Sequence, residues 1–155
     1  MTTDQEPLIS IRGLTVSYSP GRGLIGKRHT VKAVDGVSLD IAEGETLGLV
    51  GESGCGKSTL GRAVLRLTEP TGGEVLFRGR NLAELSNSAM RAERKGLQMI
   101  FQDPYGSLNP RMTVRQIIEE PIRAFRLAGC SDIGARVREL LETVGLASGH
   151  LDRYP

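Results

Sequence analysis

Gly51-Glu52-Ser53-Gly54-Cys55-Gly56-Lys57-Ser58 fills every fixed position of the pattern G-x-x-x-x-G-K-[ST]. Its flanks fit the same plan. Glu45 to Val50 is a short apolar run that predicts a buried strand leading into the loop. Thr59 to Leu67 carries apolar residues at helical spacing. Strand, glycine loop and helix in this order make a phosphate cradle. The glycines let the backbone turn tightly and bring its N–H groups near phosphate oxygens. The helix behind adds the positive end of its dipole. Lys57 is placed for the β- and γ-phosphates, and the Ser58 hydroxyl suits Mg²⁺, which prefers oxygen ligands. Gly51, Glu52, Ser53, Gly54, Cys55, Gly56, Lys57, Ser58 and Thr59 are therefore the candidate contacts for a nucleoside triphosphate.

The rest of the composition sets bounds. The chain has 155 residues, enough for one domain with a core. Lys plus Arg is 20 and Asp plus Glu is 18, a net charge of +2 that gives no support for nucleic-acid binding. No apolar run has the length of a membrane span. The polar, acidic N-terminus is not a secretory signal, and a cytoplasmic location is the expectation. Cys55 and Cys130 are too few for a disulfide framework or a zinc site.

Working outward, Leu8 to Tyr18 predicts a strand, residues 19–30 a Gly- and Arg-rich loop, and Val37 to Ile41 a second strand. Glu74 to Phe77 predicts a short strand. Residues 86–95 suit a polar helix stopped by Gly96. Leu97 to Phe101 predicts a buried strand, and 104–110 a loop. Val114, Ile117, Ile118 and Ile122 share a helical face, with Pro121 expected to kink or break that helix. Ser131 as cap and Asp132 as first-turn acid are expected to open a last helix with the stripe Ile133, Val137, Leu140, Leu141 and Val144, closed by Gly145. Residues 148–154 read as a polar end. His29 and His150 read as loop residues.

Three further segments join the loop in a family resemblance. They are Tyr18 ahead of Val31 to Leu39, then Met99-Ile100-Phe101-Gln102-Asp103-Pro104-Tyr105-Gly106-Ser107-Leu108-Asn109-Pro110-Arg111-Met112-Thr113-Val114, and Val144-Gly145-Leu146 running to Arg153-Tyr154-Pro155. Together they resemble the ATP-binding subunits of ABC transporters, most like those of oligopeptide and dipeptide importers. The resemblance covers Leu8 to Pro155. The loop pattern is shared by many folds, whereas the FQDP…SLNPRMTV run is far more specific.

The resemblance implies an α/β P-loop NTPase fold of the ABC ATPase kind. It would have an N-terminal antiparallel β part, a central βαβ P-loop unit and the start of a helical subdomain. Residues 1–155 would be the N-terminal portion of one such domain, with 8–112 in the nucleotide-binding core and 113–155 beginning the helical subdomain. Tyr18 would stack on adenine, an interaction worth about 1–3 kcal/mol. Gln102 would touch Mg²⁺ or the attacking water, since an amide offers both an acceptor and donors. Lys57 and Gln102 are thus the candidate catalytic residues, Ser58 and Gln102 the metal-contacting ones, and ATP with Mg²⁺ the cofactors. The implied partners are a second ATPase subunit, membrane-spanning permeases and, indirectly, a substrate-binding protein. The location becomes the inner face of the membrane, reached through the permease.

The family's signature stretch, its acidic strand with the catalytic Glu, and its switch histidine have no counterpart in the sequence. The resemblance therefore implies a chain ending ahead of them, an incomplete domain that binds nucleotide with little or no turnover. Two other readings stay open on sequence grounds. One is a different P-loop enzyme, such as a GTPase or small-molecule kinase, although no Asn-Lys-x-Asp tetrad for guanine occurs. The other is a non-catalytic nucleotide-binding or regulatory module. Cys55, at a helix N-terminus, lies where thiols gain reactivity; the plainer reading is a small filler.

Overall fold

The computed structural model describes residues 6–19, 30–103, 106–127 and 132–155. Residues 20–29 of the loop expected at 19–30, with His29 among them, and also Cys130 and Ser131, lie outside them. The chain divides into two compact units, Met1–Leu97 and Gln98–Pro155.

The first unit is built on an antiparallel sheet in the order β2-β1-β3-β4, from β1 (Ile9–Tyr18), β2 (Val31–Ile41), β3 (Gly72–Phe77) and β4 (Arg80–Asn81). Strand β2 starts earlier than its alternation suggests, because Val31 and Lys32 pair with Tyr18 and Ser17. Ile11, Leu14 and Val16 of β1 bury their side chains with Val34 of β2 and Val75 and Phe77 of β3. Helix α1 (Lys57–Val64) closes that layer with Leu60 and Ala63. Burial of such side chains is the dominant stabilising term. The far end of α1 is tied down as well. The Arg66 guanidinium donates to the carbonyls of Leu82 and Leu85, at 3.1 and 2.7 Å. Helix α2 (Asn87–Glu93) is capped by Ser86, whose hydroxyl accepts from the Ala89 N–H, and its Met90 completes the core.

Two expected strands are not formed. Residues 45–50 and 97–101 carry no strand pairing, and Val50 and Ile100 are 91% and 94% exposed. The expected βαβ centre therefore lacks its first strand. The physical reason is that a strand exists only through its ladder, and among the described residues no other strand lies beside either segment. Apolar alternation supplies one side of a pairing and not its partner.

The second unit is a pair of helices, α3 (Val114–Ala124) and α4 (Ile133–Thr143). Thr113 and Gln116 form a capping box at the start of α3. Asp132, expected as a first-turn acid behind a Ser131 cap, is itself the cap of α4: its carboxylate accepts from the Ala135 N–H at 3.0 Å, and no acid stands in the first turn. Ile122, Val137 and Leu141 form the core, with Val114, Ile118, Ile133 and Leu140 packed around them.

The expected break at Pro121 does not occur; α3 runs through it to Ala124. Proline in a helix interior costs about 3 kcal/mol. Here Ile118 and Ile122, on either side of it, are both packed into the apolar cluster, and the capping box holds the start. Val144 is a second correction. It stands at the end of α4, 69% exposed, outside the stripe. The supposedly polar end is also part of the core. Leu151 is buried against the helices, and the N–H groups of Val114 and Arg115 donate to the carbonyls of Arg153 and Leu151, both at 2.9 Å.

Candidate functional site

The glycine loop winds around one ammonium group. Lys57 Nζ donates to the carbonyl oxygens of Gly51 and Glu52, each at 2.7 Å, and lies 3.4 Å from Cys55 Sγ. Close packing makes the glycines necessary. A Cβ at Gly51 would stand 2.7 Å from Cys55 Sγ. Gly56 takes φ 94°, a left-handed value, and a Cβ there would collide with the carbonyl of Ala33. The loop from Gly51 to Cys55 is exposed, Lys57 is half-buried and Ser58 is exposed.

Helix α1 differs from α2, α3 and α4 at its start. Ser86, Thr113 and Asp132 each cap a helix with a side-chain oxygen. Gly56 caps α1 with none, and no acid stands in the first turn. The first amides of α1 are thus left for an outside acceptor, beside a lysine charge. A phosphate chain fits this arrangement: donors at a helix start, a cation, and backbone kept close by glycine. Mg²⁺ bound with a nucleotide takes few protein ligands and several phosphate and water oxygens, so the exposed Ser58 hydroxyl at the start of α1 suits it. Among the described residues no group of three or more His, Cys, Asp or Glu is placed to hold a metal by itself.

A cavity of about 240 Å³ adjoins the loop, between Ala33, Val34 and Val37 of β2, Leu49 and Val50, and Cys55 to Lys57 with Leu60. Its walls are mainly apolar, unlike the polar loop beside it.

The other candidates are distributed as follows. Tyr18 ends β1, 48% exposed, directly opposite Val31 in the antiparallel register. It shares the first unit with Gly51 to Thr59. Gln102 is exposed in the second unit, just before Asp103, whose carboxylate accepts from the Gly106 N–H at 2.9 Å. Asn109 orders the loop after it, accepting from the N–H of Arg111 at 3.0 Å. His150 lies in a short 3-10 turn with Nδ1 3.0 Å from the Ala147 carbonyl oxygen, a local contact.

One feature of the loop's surroundings escaped sequence reasoning: the packing of β2 against Gly56. Its signal was present in Val31, Val34 and Val37, apolar residues three apart in a strand whose side chains alternate by two.

A family model described as "ABC transporter" matches residues 34–154. The chain belongs to the ABC transporter family. Among curated relatives, this ABC transporter chain is 53% identical over 152 residues to the oligopeptide transport ATP-binding protein OppF of Bacillus subtilis (strain 168). That alignment covers 97% of the chain and 48% of OppF. It is 48% identical over 153 residues to the glutathione import ATP-binding protein GsiA of Escherichia coli (strain K12), covering 98% of the chain and 25% of GsiA. A solved structure of the ATP-binding cassette MJ0796, a dimer in a post-hydrolysis state with ADP and Pi, superposes with a TM-score of 0.77 at 26% identity. The superposition covers 95% of the chain and 61% of that structure. The chain thus spans less than half the length of these two curated relatives. Family membership decides against the GTPase and kinase readings. Among the described residues no helix is long and apolar enough to cross a membrane.

Proposed function

We propose that this chain is the nucleotide-binding portion of an ATPase subunit that energises an ABC importer of oligopeptides or dipeptides. The observation that carries the proposal is the glycine loop closed around Lys57 at the uncapped start of α1. Similarity to OppF supports the peptide class, and similarity to MJ0796 with ADP and Pi supports the adenine nucleotide.

The roles follow from the chemistry of each group. The amides from Gly51 to Thr59 bind phosphate oxygens. Lys57 exchanges its loop carbonyls for β- and γ-phosphate oxygens, a charge-assisted pairing. Ser58 holds Mg²⁺, which when bound neutralises charge on the phosphates. Tyr18 stacks on adenine. Gln102 contacts the metal or the attacking water. Residues 8–112 form the nucleotide-binding core and 113–155 begin the helical part. The partners are a second ATPase subunit, permease subunits and, through them, a substrate-binding protein. The location is cytoplasmic, against the inner face of the membrane.

Thermal unfolding of the full chain with MgATP and with MgADP, beside phosphate release under the same conditions, tests this reading. A ligand that binds only the folded state raises the midpoint with concentration. A saturable rise with both nucleotides is expected, and phosphate release reads whether the rise with MgATP reflects MgATP or its product. An unchanged midpoint at millimolar MgATP in a folded sample would reject nucleotide binding.

A further inference from the structure

Strand β2 carries one residue more than its neighbour at Ala33. Val16 pairs with Val34, and the next residue, Ser17, pairs with Lys32. Ala33 is left without a partner on β1, which makes it the extra residue of a β-bulge. Bulges bend a strand and leave the extra residue out of the ladder. The carbonyl of Ala33 lies against Gly56, where a Cβ would overlap its oxygen and stand 3.3 Å from its carbon. Gly56 is the residue that opens α1. The bulge and the phosphate loop are therefore in backbone contact, although 22 residues separate Ala33 from Gly56.

We propose that the Ala33 bulge is a positioning element for the phosphate loop, holding Gly56 so that Lys57 and the first amides of α1 stand ready for phosphate. The inference rests on the MgATP reading above. A glycine-rich loop has more conformational freedom to lose than any other backbone. A fixed carbonyl behind it removes part of that freedom before the ligand arrives, and preorganisation of this kind raises affinity. The bulge is not needed for pairing. Without Ala33, the pairs Val16–Val34, Ser17–Lys32 and Tyr18–Val31 would follow one another in an uninterrupted ladder. Deletion of Ala33 thus removes the support while every pair, including the one at Tyr18, remains available.

The test titrates the full chain and a variant lacking Ala33 with MgATP and with adenosine. The variant is expected to bind MgATP at least tenfold more weakly and adenosine within twofold of the unmodified chain. A general loosening of the fold would weaken both. Equal weakening of both, or an unchanged MgATP affinity, overturns the inference. A second measurement needs no variant: amide hydrogen exchange of the unmodified chain with and without MgATP. Slower exchange at residues 32–35, alongside 51–58, is the expected result. Slowing at 51–58 with 32–35 unchanged overturns the bulge inference and leaves the nucleotide reading standing. Failure of the unmodified chain to bind MgATP at all rejects the nucleotide reading itself.

Discussion

Lys57 Nζ donates to the carbonyl oxygen of Gly51 at 2.7 Å, closing the loop on itself from one end of the motif to the other. The ring also includes Cys55, whose Sγ stands 3.4 Å from the same ammonium group. The only free cysteine among the described residues is therefore at the mouth of the candidate phosphate site, exposed to solvent.

A thiol reagent at Cys55 would fill space that Gly51 and Lys57 already crowd. Alkylation by N-ethylmaleimide is expected to lower MgATP affinity at least tenfold, and saturating MgATP is expected to slow labelling of Cys55. Mass spectrometry after timed labelling reads both. Equal labelling rates with and without MgATP would place the nucleotide elsewhere.

Tyr18 offers a half-exposed ring at the end of β1. Replacement by Ala is expected to weaken MgATP by about 1–3 kcal/mol, the value of one base–aromatic stack. Tyr18→Phe keeps the ring and is expected to stay close to the unmodified affinity. Fluorescent-nucleotide titration separates them, and equal losses in both variants would point to the hydroxyl in place of the ring.

Leu151 is buried among Ile122, Val137 and Leu141. Its neighbours Arg153 and Leu151 itself also accept the first amides of α3. Leu151→Ala is expected to destabilise the helical unit by about 2–5 kcal/mol through lost burial and a residual cavity. Asp152→Ala, which removes the exposed pair with Arg115 at 3.3 Å, is expected to cost less than about 1 kcal/mol. Hydrogen exchange of the α3 and α4 amides in the full chain reads both effects.

The local features were readable from residue type. Glycine spacing identified the loop, Ser86 marked a helix start, and residue type located β1 and β3 to within two residues, while the α4 cap fell on Asp132, one residue after the expected Ser131. What escaped depends on partners distant in sequence. Residues 45–50 have the composition of a buried strand, yet pairing is a property of two segments, and no adjacent strand is found among the described residues. Pro121 predicts a break when α3 is considered alone; the apolar cluster across from α4 outweighs it. Leu151, one apolar residue in a polar stretch, shows no periodicity, so its burial could not be inferred. The register shift at Ala33 is likewise a relation between two strands.

Lys57 and the loop around it are proposed to bind the phosphates of a nucleotide. Calorimetric titration of MgATP into the full chain and into Lys57→Ala tests this most directly. Saturable binding by the unmodified chain, reduced at least tenfold in Lys57→Ala with its folding unchanged, is the expected result. Equal affinity in the two proteins would contradict the account.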